Sequence, residues 1–377
     1  MKRLLIVQNV PTQFDVPLYN QIADEKPFEL CVIYTQTYGE SAGYDPEIGR
    51  STAWDHIAHE SYRRIDLTEE QNNNLTEVVS LIEEFSPGLV LLSGYYPPLH
   101  RKLVKPLKQA GIKIGLRSDN TLPHSNFSGL KGILKRILLP IWLKRYDFWF
   151  PVGSLASDYL EQMSGVEKPS FYFSYNADNQ WFYKNSRQRE LIRTEMGLPE
   201  DGVVVLGIMK WHQREDPLTL IRAFKIFAKE NPTAQLVLVG DGPLRKQVER
   251  ELKPLGDRVA TPGYVPYTAL PPLYAAADIF VHPAPNEPWG VSVNEAMACG
   301  VPVIAASGVG AAIDLIEEDE TGFVFDSGDV DELSIKLTKA KDQTGTDRKM
   351  SLRCLERMRQ WGYSQTISSF EKALAKV

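Results

Sequence analysis

Short apolar runs alternate with amphipathic segments of helical period along the whole of this chain, and that rhythm leaves few folds open. Leu4 to Val7, Phe28 to Tyr34, Leu89 to Leu92, Ile112 to Leu116 and Phe148 to Val152 are each the length of one buried strand. A second series follows at Val203 to Ile208, Gln235 to Val239, Ile279 to His282, Val303 to Ala306 and Phe323 to Phe325. Continuous apolar runs of this length, separated by helix-sized stretches such as Pro217 to Lys229, are the pattern of parallel strands covered by helices on both faces. The expected class is therefore α/β with doubly wound parallel sheets. The length of 377 residues favours two domains.

The polar stretch Tyr175 to Asp201, between the two series, reads as a linker and the entry to the second domain. We place the first domain at 1–173 and the second at 174–360, with one more amphipathic helix over 361–377. A net charge of −6 argues against a nucleic-acid partner. No apolar run approaches the ~18 residues that span a bilayer. MKRLLIVQNV reads as a first strand and not a secretory signal. With Cys31, Cys299 and Cys354 scattered, a reducing, cytoplasmic setting is expected.

One stretch, Asn286 to Ile304 (NEPWGVSVNEAMACGVPVI), carries the chemistry. Glu287 and Glu295 stand seven intervening residues apart across the start of an expected helix, with Trp289 and Gly290 between them. A helix start preceded by glycine exposes amides that have no partner within the helix, which suits an anion. Carboxylates only accept hydrogen bonds, which suits hydroxyl-rich ligands. Amides for a diphosphate and carboxylates for sugar hydroxyls together describe a nucleotide-sugar pocket.

This stretch resembles the Glu-x7-Glu signature of the retaining GT-B glycosyltransferases of family four, the glycosyl transferases group 1. Other pieces agree in order: SYNADNQWF at Ser174 to Phe182, LTLIRAF at Leu218 to Phe224, LVLVGDGPL at Leu236 to Leu244, GYVP at Gly263 to Pro266, then ASGVGAAIDLI and TGFVF. The likeness covers nearly all of the second domain and is weaker in the first. It implies two Rossmann-like domains facing a central cleft, the first for an acceptor and the second for a nucleotide-sugar donor, with the terminal helix returning to the first. By the same resemblance Glu287 holds the donor sugar's hydroxyls and Glu295 accepts from the ribose hydroxyls. The amides around Gly290, Val291 and Ser292 face the sugar and distal phosphate, and Gly263, Tyr264 and Val265 lie beside the base. The implied reaction moves a sugar from a nucleotide diphosphate sugar, UDP by default, to a glycan, lipid-linked or small-molecule hydroxyl with retention. Preorganised amides and cations serve the leaving group there, with no cofactor and no metal.

One position departs from the family. Its pattern G-(R/K)-x4-K places cations against the leaving diphosphate, and here the stretch is GIMKWHQREDP. Lys210 matches the first basic position, Glu215 stands where the lysine is expected, and Arg214 precedes it. A guanidinium binds phosphate bidentately, so Arg214 can take over that task. His212 reads as a surface polar group. The one Asp-x-Asp string, Asp329-Val-Asp331, reads as a helix cap and not as a metal loop.

In the first domain, Arg117, Ser118 and Asp119 follow a strand and reach toward the site of such sheets. Asp119 has two readings, an acceptor-orienting carboxylate or a turn residue, and His124 is the weaker candidate. Residues 101–145 hold eleven Lys or Arg and one acid. Their later part, LKGILKRILLPIWLKR, also leaves two readings open. Over 130–145 it is either an interfacial element that meets anionic membrane or a core-packed helix with a solvated basic face, its stripe interrupted at Pro140. Two alternatives to a transferase also stand: a GT-B sugar phosphorylase, and a catalytically silent nucleotide-sugar-binding protein, which Glu215 alone favours.

Overall fold

The computed structural model describes residues 2–36, 43–45, 50–52, 61–187 and 189–377, so residues 37–42, 46–49 and 53–60 of the expected first domain lie outside the described residues. The chain divides into two compact units. The first gathers the described residues of 1–41 and 56–175 with Tyr363–Val377, and the second holds the described residues of 42–55 with Asn176–Gly362.

The first unit is built on β1 (Arg3–Gln8), β2 (Glu29–Tyr34), β5 (Arg63–Asp66), β6 (Leu89–Ser93), β7 (Lys113–Ser118) and β8 (Phe148–Pro151). Two short strands that fall between β2 and β5 in the chain, β3 (Gly43–Asp45) and β4 (Arg50–Thr52), pair antiparallel with each other and are grouped with the second unit. The main sheet has the order β5-β2-β1-β6-β7-β8, and all its pairings are parallel. Strand β1 is buried from Leu4 onward, because helices cover both faces. One face packs Leu5, Val7, Val90 and Leu116 against the helices Leu75–Phe85 and Pro98–Gln109.

The other face packs Leu4, Ile6 and Phe150 against the helix Val16–Glu25 and the terminal helix Tyr363–Leu374. Phe370 of that last helix meets Phe173 at 4.9 Å between ring centroids, Phe150 at 5.9 Å and Phe28 at 6.2 Å. Aromatic edges and faces at such distances add to the area they bury. The chain's end is thereby part of the first unit's core.

The second unit repeats the plan with β9 (Val204–Ile208), β10 (Gln235–Val239), β11 (Val259–Gly263), β12 (Ile279–His282), β13 (Val303–Ala306) and β14 (Gly322–Phe325), in the order β11-β10-β9-β12-β13-β14. Both sheets are parallel, and in both the order runs outward one way from the first strand and then reverses. Ligands of open α/β sheets sit where that reversal occurs, outside the carboxyl ends of the strands. In the second sheet the reversal lies between β9 and β12, which pair through Val205 with Ile279 and Leu206 with Phe280.

Three features differ from the sequence reading. The edge strands β5 and β11 escape it, since RRID and VATPG lack an apolar run. An edge strand is half-paired and tolerates charge and proline. The stretch read as a linker folds into the helices Asn179–Asn185 and Arg189–Glu195. The Asp178 side chain caps the first by accepting from the Trp181 amide at 2.9 Å, and Phe182 anchors it against Tyr267 and Tyr274. The helix Gly129–Leu143 runs through Pro140, which forgoes only one backbone donor near the helix end. Its exposed face is apolar as well as basic, contrary to the reading of a solvated basic face. As the sequence reading has it, Asp329 accepts from the Glu332 amide at 2.9 Å and caps the helix Val330–Asp347.

Candidate active site

The loop leaving β9 is fixed by its neighbour on β10. The Met209 amide donates to Val239, Trp211 to Asp241 at 2.8 Å, and Leu244 back to Trp211 at 2.9 Å. Gly240 permits this approach, because a Cβ there would lie 1.9 Å from the Met209 carbonyl oxygen. With Trp211 buried, the chain turns at His212, whose carbonyl accepts from the amides of Glu215 and Asp216 and whose Nδ1 accepts from the Arg214 amide at 3.1 Å. Asp216 then caps the helix Pro217–Glu230 through the Thr219 amide and hydroxyl. Lys210 and His212 are both half-buried on this loop.

The loop leaving β12 reaches the same place. Glu287 is tied by its backbone, its amide donating to Gly308 at 3.0 Å and its carbonyl accepting from Gly310 at 2.9 Å. Trp289 is buried, its Nε1 donating to Asn294 Oδ1 at 2.9 Å and its ring stacked on Trp361 at 5.7 Å. Gly290 sits in the left-handed region at φ 92° and begins the helix Val291–Ala298, with no side-chain cap. A Cβ at Gly290 would lie 2.9 Å from Val309 Cγ1 and 3.2 Å from His282 Nε2, so backbone conformation and space both require glycine. The opening amides at Val291 and Ser292 have the uncapped geometry that receives anions.

Arg214 joins the two loops. Its Nη2 donates to Glu215 Oε1 at 3.0 Å and its Nη1 to Glu287 Oε2 at 3.4 Å. Glu215 is only 8% exposed, so the residue that replaces the expected lysine is a buried carboxylate satisfied by the neighbouring guanidinium. His282, at the end of β12, lies beneath: Nδ1 meets the Ser292 hydroxyl at 3.3 Å, and Nε2 has no hydrogen-bond partner among the described residues. Burial, with Arg214 adding to it, lowers His282 to about 4, which keeps the ring neutral.

Glu215, His282 and Glu287 each bring a ligand atom within 4.8 Å of one another, so this trio has the chemistry to take a cation. Arg214, bonded to both carboxylates, already supplies positive charge there.

The remaining second-unit residues surround this centre in sequence but differ in setting. Glu295 is 3% exposed on the helix Val291–Ala298, and its Oε2 accepts from the Tyr274 hydroxyl at 2.8 Å. Burial raises its carboxyl to about 7, against the lowering effect of the Tyr274 bond. Gly263, at φ 78°, ends β11, and its carbonyl accepts from the Gly240 amide at 2.9 Å; Tyr264 and Val265 follow it half-buried.

Asp119 belongs to the first unit, where its Oδ2 accepts from the Tyr175 hydroxyl at 3.0 Å. Beside it Arg117 is buried and pairs with Asp15 through Nη1 at 3.0 and 2.9 Å. Asp15 also accepts from Gln8 Nε2, and Gln8 accepts from the Tyr19 hydroxyl. His124 bonds its Nδ1 to the Thr121 hydroxyl.

Sequence reasoning missed His282, Tyr274 and Asp15. A histidine closing a strand was the available signal for the first. Nothing local marks Tyr274, which stands 21 residues from the carboxylate it serves.

Two doubly wound parallel sheets with this strand order, the second carrying a site at its reversal point, define the GT-B class. Residues 188–361 match the family described as glycosyl transferases group 1. The chain is similar to a sulfoquinovosyl transferase of Arabidopsis thaliana, 29% identical over 50% of this chain and 36% of that protein. It is also similar to a mannosylfructose-phosphate synthase of Agrobacterium fabrum, 34% identical over 34% of this chain and 30% of that protein. The chain thus spans about a third of the length of these curated relatives. In fold it matches Anabaena HepE, a structure in complex with UDP, at a TM-score of 0.73 and 16% identity over 100% of both chains. At that identity the likeness is one of fold. No described helix is long and apolar enough to cross a membrane.

Proposed function

We propose that this chain is a retaining glycosyltransferase that moves a sugar from a UDP-sugar to the hydroxyl of a glycan, lipid-linked or small-molecule acceptor, without a metal. The observation that carries the reading is Arg214, bonded to Glu287 across two loops at the strand-order reversal of a group 1 glycosyltransferase domain. The UDP bound by the Anabaena neighbour supports the choice of donor.

Transfer builds negative charge on the leaving phosphate while an oxocarbenium-like centre forms at the anomeric carbon. Arg214, Lys210 and the amides of Val291 and Ser292 are the donors we assign to that charge, since fixed donors in a water-poor site stabilise it without reorganising. Glu287 accepts from the donor sugar's hydroxyls. Glu295 keeps Oε2 on Tyr274 and offers Oε1 to the ribose. Gly263, Tyr264 and Val265 lie beside the base. In the other unit Asp119, steadied by Tyr175, orients the acceptor hydroxyl. That proton passes to the leaving phosphate oxygen, so no protein base is required. Glu215 is the one feature that favours a silent binder, because it takes up part of the guanidinium's bonding capacity.

The test is donor turnover by the purified chain against a panel of nucleotide sugars, with and without inorganic phosphate. The reading expects sugar release or transfer from a UDP-sugar, independent of phosphate and severely reduced in Glu287→Ala. Phosphate-dependent turnover would establish a phosphorylase. Nucleotide binding without turnover would establish the silent binder.

A further inference from the structure

The helix Gly129–Leu143 of the first unit presents apolar residues to solvent in a regular pattern. Leu130, Ile133, Leu134, Ile137, Leu138 and Ile141 are between 44% and 86% exposed. Their spacing of three and four residues is that of one helical face. At about 100° per residue the six project within a single arc roughly 140° wide. Gly132, Leu139 and Leu143 point the opposite way and are buried, so the helix already has a separate face for the core. Lys131 and Lys135 border the exposed stripe on one side and Arg136 on the other, with Lys144 and Arg145 at the helix end. Isolated exposed leucines are ordinary on a protein surface, but a contiguous apolar stripe with a charged border marks an interaction site.

The ends of the stripe carry aromatic–cation pairs. Arg145 lies over the Trp142 ring at 4.4 Å, and Lys135 lies 4.8 Å from the Phe127 ring and 6.0 Å from the Tyr96 ring. Tyr96 is itself 57% exposed. Amphipathic aromatics beside cations are the side chains that settle at the headgroup level of a bilayer.

We propose that this face seats the protein on an anionic bilayer, the helix axis in the plane of the interface and its six apolar side chains in the acyl boundary. Lys131, Lys135 and Arg136 then lie against lipid phosphates. Fifteen residues of helix span about 22 Å, short of the ~30 Å hydrocarbon core, so the helix lies on the membrane and does not cross it. A second copy of the chain is a poorer occupant. A two-fold contact through this stripe would bring its five cations against the same five of the partner, with no acids on the helix to offset them. The docking does not depend on the transfer reaction proposed above. If both hold, the acceptor would be one carried by lipid.

The experiment is sedimentation of the full chain with vesicles of phosphatidylcholine alone or mixed with phosphatidylglycerol, at low and high salt. Two variants accompany the wild type, Ile133→Glu/Ile137→Glu and Lys131→Gln/Lys135→Gln/Arg136→Gln. All changed positions lie on the surface of the helix, and the thermal midpoint of each variant checks that the fold is kept. Wild type should pellet with anionic vesicles and less at high salt. Each lost cation should weaken partitioning about fivefold, so the triple variant falls by roughly a hundredfold. The double variant should remain in the supernatant. Wild type that stays in the supernatant at low salt overturns the proposal. So does equal pelleting with neutral vesicles, or a dimer in chromatography that the isoleucine variant dissolves while vesicles fail to bind.

Discussion

Glu295 makes an unusual prediction, because removing its charge should stabilise the protein. The side chain is 3% exposed and has one hydrogen-bond partner among the described residues, the Tyr274 hydroxyl, and burial raises its carboxyl from 4.5 to about 7. Between those values the native state holds a proton that the unfolded chain has lost. The stability tied to this group is therefore complete below about pH 4.5 and is lost as the pH rises through about 7. At about 1.36 kcal/mol per pH unit, the interval corresponds to roughly 3 kcal/mol.

Glu295→Gln keeps the shape and an acceptor for Tyr274 but cannot ionise. Near pH 5 the variant and wild type should melt close together. By pH 8 the variant's second unit should be the more stable by roughly 2–3 kcal/mol, or about 5–10 °C in its transition. Saturating UDP should shrink that gap, since ribose hydroxyls donate more strongly to an ionised carboxylate than to a neutral acceptor. Thermal denaturation of both proteins over this pH range is the assay. A gap that does not change with pH, or a wild type more stable than the variant at pH 8 without nucleotide, would refute the argument.

Other expectations follow from the same geometry. Gly290→Ala places a Cβ against Val309 and His282 at a φ of 92° and should cost about 2–4 kcal/mol. It should also weaken nucleotide binding, and a variant with unchanged stability and affinity would show that the helix start is not built as described. Phe370→Ala removes a fully buried ring that touches Phe28, Phe150 and Phe173. Denaturant unfolding of the first unit should register a loss of about 3–5 kcal/mol, and a loss under 1 kcal/mol would mean the terminal helix is not part of that core. Chelation should leave turnover unchanged; activity lost to a chelator and restored by a divalent ion would instead assign Glu215, His282 and Glu287 as metal ligands.

The central strands are legible because burial on both faces demands apolar runs, so β1, β6, β9 and β12 stand out in the sequence alone. The edge strands β5 and β11 do not, since partial exposure lets RRID and VATPG serve. Composition also misreads Tyr175 to Asp201, where Phe182 gains its helix from Tyr267 and Tyr274, residues that lie distant in the chain. The candidate site divides in the same way. Glu287, Gly290 and Arg214 are visible as residue types at telling spacings. The burial of Glu215, the pairing of Glu295 with Tyr274 and the place of His282 depend on which strands lie side by side, and no local spacing encodes that.

The central claim is that the loops after β9 and β12 bind a nucleoside diphosphate through Arg214. A thermal-shift titration with UDP, GDP and ADP, on wild type and on Arg214→Ala, tests it most directly. A ligand that binds only the native state stabilises it by roughly 2.7 kcal/mol at a hundred times its dissociation constant. The account predicts a saturable rise in midpoint with UDP that Arg214→Ala largely loses. No shift with any of the three nucleotides, or an equal shift in wild type and variant, would contradict it.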